Sequence, residues 1–235
     1  MKIGIFQDVH ANLPAFNKAI EVFRNHNCTR IYHVGDLIGI GPYPFEVMQS
    51  AINIKNLTLI MGNHDYWYAY GIPKPRPKYM NAEEYDHQLW THKQIGKDYK
   101  SIAQKWNFVE KFKKNKICFL HYGYDAKKNW FKEYIKNPNS ENLEKLFAEI
   151  EADIIFYGHN HTASDISGQS RYVNLGSAGC FNKPEVRLGI LEVSEYGFTL
   201  QKRSIPYQDN GLMEAFEKRK VPAREFITSV FITRN

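Results

Sequence analysis
The sequence predicts an α/β fold, a four-layer αββα sandwich of two mixed β-sheets flanked by helices. Three observations carry that prediction. Six short β-branched or aromatic runs each end in a polar cluster of Gly, Asp, Asn, Ser or His, and continuous apolar runs of this kind read as strands buried on both faces. Helical stripes separate the early runs, so the first half reads βαβαβ with a largely parallel sheet. Near the end, apolar residues alternate in twos around a Gly turn, which signals an antiparallel hairpin. Two mixed sheets accommodate both halves.

Taken in order, the first run (residues 3–6) precedes Asp8 and His10. Asn12 then caps a helix whose Phe16, Ala19, Ile20 and Phe23 repeat at i, i+3, i+4, i+7, one buried stripe. Residues 31–34 lead to Gly35-Asp36, and residues 57–60 to Gly62-Asn63-His64-Asp65. Residues 66–80 depart from this grammar: an aromatic run (Tyr66, Trp67, Tyr68, Tyr70) gives way to Pro73, Pro75 and Pro77 alternating with Lys74, Arg76 and Lys78. Proline lacks an amide donor, so this stretch is neither helix throughout nor a central strand, and it is expected on or near the surface. Asn81 and Glu84 resemble a capping box opening a helix striped by Tyr85, Leu89 and His92 or Ile95.

The basic run at residues 111–116 reads as a solvated hairpin turn before the fourth run, residues 117–120, which leads to His121. Asn137-Pro138 marks a helix start, followed by a stripe of Leu143, Leu146, Phe147 and Ile150. Residues 154–157 then lead to Gly158-His159, and residues 172–175 to Gly176-Ser177. Val186, Leu188 and Ile190 alternate, Glu195-Tyr196-Gly197 turns, and Phe198 and Leu200 alternate again. No linker composition interrupts the chain, so one domain over 1–235 is expected, with a cap insertion at about 66–100.

Composition narrows the class. With 43% hydrophobic and 24% charged residues the chain is neither disordered nor fibrous. Its longest apolar runs are too short to span a bilayer, and Gln7, Asp8 and His10 break the first before a signal peptide could form, so no membrane partner is expected. Cys28, Cys118 and Cys180 form no CxxC pair and leave an odd thiol, which suits a reducing compartment and a cytoplasmic protein. The last two read as small buried groups, and His26, His33, His87 and His92 as surface or satisfied core residues. A net charge of +6 permits anionic partners without establishing a nucleic-acid polymer as one.

The polar clusters fall where α/β sheets gather their catalytic groups. Asp8 and His10 are spaced to face one side of an extended backbone, as are His159 and His161. Asp36 follows a glycine that permits close approach, and Asn63 and His121 add an amide oxygen and an imidazole. Mixed nitrogen and oxygen donors without thiolate point to borderline divalent ions, Mn foremost and Fe, Zn, Ni or Co as alternatives. There are enough donors for two ions, and a pair roughly 3.5–4 Å apart is the standard device for displacing a leaving oxygen at phosphorus.

The order D-x-H, G-D, G-N-H-D, a lone His and G-H-x-H, spanning Asp8 to His161, resembles the calcineurin-like metallophosphoesterases. The segments from Asp8 to Ala15 and from Gly35 to Pro42 resemble the compact bacterial and archaeal phosphodiesterase type. The resemblance implies that Asp8, His10 and His161 hold one metal, that Asn63, His121 and His159 hold the other, and that Asp36 bridges them. It implies hydrolysis by a metal-bridging hydroxide, with His64 donating a proton to the leaving oxygen or binding a phosphoryl oxygen, and with Asp65 fixing its loop. Protein phosphatases of the superfamily carry Asp-Arg where this chain has Gly39-Ile40, and Glu where it has Asp65. Without that Arg fork a dianionic phosphate loses a bidentate contact. A small phosphodiester is therefore favoured over a monoester. Trp67, Tyr68 and Tyr70 would stack on a nucleotide-like substrate, with Lys127, Lys128, Lys183 or Arg187 as further anion contacts. The competing classes are a non-catalytic scaffold, as in retromer's phosphoesterase-like subunit, and a nuclease. The oligomeric state is left open.

Overall fold
A computed structural model describes residues 1–78, 80–112, 116–128, 130–209 and 211–232. Strands β1 (Lys2–Phe6), β2 (Arg30–His33) and β3 (Leu57–Leu59) run parallel, joined by helices α1 (Leu13–Asn25) and α2 (Pro44–Ile52). Helices α3 (Asn63–Tyr70), α4 (Ala82–Ile95) and α5 (Lys100–Ala103) follow, then the antiparallel pair β4 (Val109–Phe112) and β5 (Ile117–Leu120). A short hairpin, β6 (Tyr124–Asp125) and β7 (Trp130–Phe131), and helix α6 (Ser140–Leu146) lead to β8 (Ile154–Phe156), β9 (Ser164–Ser167) and β10 (Arg171–Asn174). The long hairpin β11 (Glu185–Ser194) and β12 (Gly197–Pro206) returns to the first sheet, and α7 (Leu212–Lys218), α8 (Arg224–Ile227) and a π-helical stretch at Thr228–Ile232 end the described chain.

The sheets are ordered β12-β11-β1-β2-β3 and β4-β5-β8-β10-β9. Both are mixed. In the first, Ile5 pairs parallel with Tyr32 and antiparallel with Gly189; in the second, Cys118 pairs parallel with Ile155. They meet face to face, because alternate residues of each turn inward: Ile3, Ile5 and Tyr32 from one, Phe119, Phe156 and Val173 from the other. The Tyr32 and Phe119 rings stack across this seam at 4.0 Å, a contact worth about 0.5–1.5 kcal/mol beyond its buried area. The outer face of the first sheet is covered by α1 and α2 through Phe16, Phe23, Val47 and Met48, and that of the second by α6 through Leu143 and Leu146. This gives the four layers. Asn12 caps α1 as expected, its Oδ1 accepting from the Ala15 amide at 3.1 Å.

Several expectations are corrected by context. The third run is only half-buried, because β3 is an edge strand. Helix α6 opens two residues later than Asn137-Pro138 suggests, because Asn139 and Asn142 cap each other reciprocally; it ends at Leu146, leaving Phe147 and Ile150 in the following turn. The tip of the basic run at 113–115 lies outside the described residues, but the antiparallel pairing of β4 and β5 brackets it. Residues 66–70 belong to α3, and Trp67 and Tyr68 are buried rather than superficial. His33 is buried against Phe6 with neither ring nitrogen paired among the described residues, so it is not a satisfied core histidine.

Helix α4 departs furthest from its reading. Asn81 caps it, Oδ1 accepting from the Glu84 amide at 2.8 Å, but its buried face is His87, Gln88, Thr91 and Ile95, while Leu89 is 45% exposed. The polar face is inward because it meets the His64 ring and the Pro222 carbonyl. Burial holds His87 down at about 3, whereas an unfolded histidine titrates near 6.5. The unfolded chain therefore binds the extra proton between these values. Stability from this group is complete above about pH 6.5 and falls by roughly 1.4 kcal/mol per unit as pH drops toward 3. His87→Gln is expected to flatten the dependence of the urea midpoint on pH between 6 and 4 relative to the parent; an unchanged slope would refute this contribution.

Candidate metal centre
The carboxyl edges of the two sheets meet at one end of the sandwich. Asp8 and His10 follow β1, Asp36 follows β2, Asn63 opens α3 just after β3, His121 follows β5, and His159 and His161 follow β8. At that edge the backbone turns sharply, with φ of 51° at Asp8, 47° at His10, 55° at Asp36, 72° at His159 and 56° at His161. Asp and His tolerate the left-handed region better than most residues, at a cost of roughly 1 kcal/mol or more each. Gly62 allows the closest approach of two of these loops: a Cβ there would lie 2.2 Å from both the Asp36 amide nitrogen and Oδ1.

All seven residues named from the sequence converge. Asp36 Oδ2 lies 3.3 Å from His121 Nε2 and 3.8 Å from His10 Nε2. On one side of it, His10 Nε2 and His161 Nε2 face each other at 2.9 Å, each 3.9 Å from Asp8 Oδ1. On the other, Asn63 Oδ1 stands 3.1 Å from His121 Nε2 and 2.9 Å from His159 Nδ1. The remaining ring nitrogens of His10 and His121 face backbone carbonyls, Ile38 at 3.3 Å and Val34 at 3.0 Å; donating there leaves each Nε2 lone pair directed inward. The His159 amide donates to both oxygens of Asp8, at 3.1 and 3.2 Å.

Burial governs the charge state. It holds His159 and His161 down at about 3 and His10 well below the ordinary imidazole range, so these rings are neutral and keep a lone pair. It pushes Asp8 up to about 7, against the pull of His121. At Asp36 burial opposes the charge, yet His121 foremost, by its charge and its hydrogen bond, outweighs it and holds the carboxyl well below its usual range. Burial likewise opposes a charged His121, but Asp36 and then Asp8 raise it to about 9. One proton on His121 thus stands where several lone pairs converge.

This donor set fits divalent cations. Turned over, the Asn63 amide nitrogen would meet His121 Nε2, His159 Nδ1 and Asp36 Oδ2, three partners for two N–H groups; a cation with the amide oxygen turned inward would serve the same donor atoms. Two groups of possible ligands, His10 with Asp36 and His64, and Asp36 with His121 and His159, share Asp36 and keep their donor atoms within 4.8 Å of one another. Cys180 adjoins His10 and His161, but burial pushes its thiol far up, so it remains protonated.

Asp65 accepts from the amides of Leu37, Ile38 and Gly62 and so ties the Asp36 loop to the start of α3. The His64 amide donates to Asp36 Oδ1 at 2.9 Å, and its ring meets Gln88 Nε2 at 2.8 Å through Nδ1. His64 borders an open cleft of about 760 Å³ lined also by Asp36, Asn63, Trp67, Lys128 and Trp130. A second cleft, about 740 Å³, opens on the His161 side toward Phe181 and Arg187. Phe231, from the π-helical stretch, borders both and lies 5.6 Å from the His161 ring.

Of the three rings expected to meet substrate, Trp67 alone borders the cleft. Tyr68 is buried in the core and donates its hydroxyl to the Gly96 carbonyl, and Tyr70 packs on Tyr66 and donates to the Gln104 carbonyl. For Tyr68 the cause is simple: successive residues of a helix point about 100° apart, so it cannot share the face of Trp67, while Tyr70, one turn on from Trp67, is drawn away to Tyr66 and Gln104. The ring that joins Trp67 is instead Trp130 of β7, stacked on it at 5.9 Å. Sequence reasoning also missed Gln88 and Phe231.

A sandwich of two mixed sheets that gathers Asp, Asn and His at one edge has the architecture of a phosphoesterase. Residues 1–196 match the calcineurin-like phosphoesterase superfamily domain, and the chain belongs to that superfamily; α7, α8 and Phe231 lie beyond the matched residues. Over 161 residues the chain is 27% identical to the uncharacterized protein MJ0912 of Methanocaldococcus jannaschii, covering 68% of this chain and 62% of that one. Over 65 residues it is 35% identical to the phosphodiesterase MJ0936 of the same organism, covering 28% and 37%. The chain therefore spans less than two thirds of the length of these curated relatives. The crystal structure of the hypothetical protein PH1004 from Pyrococcus horikoshii OT3 matches the fold with a TM-score of 0.78 at 17% identity, covering 98% of both chains.

Proposed function
We propose that the chain hydrolyses a phosphodiester with the help of two divalent ions, one held by Asp8, His10 and His161, the other by Asn63, His121 and His159, with Asp36 shared between them. The observation that carries this reading is the place of Asp36, whose carboxylate belongs at once to the group with His10 and to the group with His121 and His159. Manganese is the ion we propose; mixed imidazole and carboxylate donors accept it along with iron, zinc, nickel and cobalt. Ions bound there supply Lewis acidity and lower the pKa of the water that attacks phosphorus. The chain does the rest: His64 offers a ring N–H to the ester oxygen, and Lys128, 3.8 Å from Asp125 at the cleft, adds positive charge for an anionic substrate.

Diester preference follows from what faces the cleft. A dianionic phosphate is best held by an arginine fork, but Gly39 and Ile40 follow Asp36, and among the described residues no arginine borders the His64 cleft. Arg187 borders the other cleft with Nε and Nη2 directed to the Ser177 and His161 carbonyls. The match to the phosphodiesterase MJ0936 supports the same preference. Stacked Trp67 and Trp130 favour a substrate with a planar, nucleotide-like arm.

The test is a chelated protein assayed on bis(p-nitrophenyl) phosphate and p-nitrophenyl phosphate before and after manganese is restored. Activity absent with EDTA, regained with manganese and higher on the diester is expected; hydrolysis that survives full chelation, or that favours the monoester, would refute the proposal. Trp130→Ala is expected to raise KM roughly 10-fold for nucleotide diesters, in keeping with the loss of one stacking contact, and to spare kcat on the small chromogenic diester. Equal losses on both would assign Trp130 to the fold.

A further inference from the structure
The inward face of α4 is polar, and a buried polar side chain requires a partner. Gln88 is 1% exposed. Its Nε2 lies 2.8 Å from His64 Nδ1, while its Oε1 has no partner among the described residues. The amide is thus buried for the sake of one contact. Much of the rest of the His64 ring is packed as well, leaving the cleft as its open side: His10 and Trp67 meet it edge-on at 5.0 and 5.1 Å, and a Cβ on Gly39 would stand 2.3 Å from Nδ1.

We infer that Gln88 is the positioning residue of His64, fixing its ring and its tautomer for leaving-group stabilisation; this rests on the reading of His64 given under the proposed function. An amide N–H donated to Nδ1 occupies that lone pair and leaves the ring's own proton on Nε2. Nε2–H is then available to the ester oxygen as the bond to phosphorus lengthens and negative charge grows on it, the moment at which a prealigned donor counts most. The benefit scales with that charge. Gln88 therefore matters most for esters of alcohols such as a sugar hydroxyl, which leave poorly, and least for nitrophenyl esters. Helix α4, inserted between β3 and β4, thereby contributes to the choice of leaving group without touching the metal ligands.

Gln88→Met keeps the length and removes the hydrogen bond. It is expected to lower kcat on alkyl diesters by roughly 10- to 100-fold, the range for partners that orient a functional group, with KM and metal content unchanged and a smaller loss on bis(p-nitrophenyl) phosphate. On a His64→Ala background the same change is expected to do nothing further. Nitrogen-15 histidine spectra of the zinc-loaded protein give a readout apart from turnover: the signals lost in His64→Ala report Nε2–H in the parent and a mixture of tautomers in Gln88→Met. Gln88→Glu, if Gln88→Met fails to fold, is expected to move the same signals by offering Nδ1 only acceptors. Equal losses with and without His64, or an unshifted tautomer, would overturn the inference. A parent protein inactive on every diester with metal bound would instead refute the proposed function.

Discussion

Asp36→Asn is expected to lower kcat/KM on diesters by more than the roughly 10²–10³-fold that loss of one electrostatic contact costs, and to strip metal from both halves of the centre. The reason is position. Oδ2 of Asp36 faces His10 on one side and His121 on the other, while Oδ1 accepts from the His64 amide. One neutralised carboxylate weakens two ligand groups and loosens the loop that carries the proton donor. His161→Asn alters one side alone, so it is expected to lose less activity and about one equivalent of metal. Metal per chain, measured by plasma mass spectrometry alongside kcat/KM, separates these outcomes. Two ions retained in Asp36→Asn, with turnover near that of the parent, would remove Asp36 from the shared position.

His64→Ala is expected to keep both metals and to slow turnover by roughly 10²–10⁴-fold, the span for a positioned acid. Its ring lies beside His10 and Asp36, with a nitrogen within 4.8 Å of their donor atoms, but neither proposed ligand set includes it, and the hydrogen bond to Asp36 comes from its backbone, which alanine retains. With the ring serving the departing oxygen, as proposed, the loss shrinks as the leaving group improves. In oxygen-18 water a single turnover should place the label on the product phosphoryl group, since among the described residues no activated Ser or Cys adjoins the centre; burial keeps the neighbouring Cys180 thiol protonated. A deficit that is uniform across leaving groups, or that tracks lost metal, would reassign His64 to the metal shell.

The sequence made the centre legible because each donor follows a strand within a few residues, and a strand end fixes where its next side chains go. Asp8, Asp36, His121 and His159 needed no long-range information beyond the assembly of the sheets. The substrate cleft was not legible for the opposite reason. Trp130 sits in a hairpin of two-residue strands and Phe231 in a π-helical stretch, neither of which has a periodic pattern, and both reach the centre only through tertiary packing. Tyr68 resembled Trp67 in composition but not in direction, since adjacent helical residues diverge. Gln88 was hidden by the hydrophobic-stripe criterion itself: Leu89 marked a face of α4 that turned out exposed, and the inward polar face could be recognised only once His64 and Pro222 were seen against it.

Five of the seven gathered side chains hang on left-handed backbone, where glycine would sit without strain. At His161, whose ring bonds only to another member of the centre, exchange for glycine would relieve about 1 kcal/mol of backbone strain together with the penalty of burying an imidazole. Folding alone therefore pulls His161 toward glycine or asparagine, whereas the Asp8 and Asp36 carboxylates also accept from the amides of His159 and His64 and hold their loops.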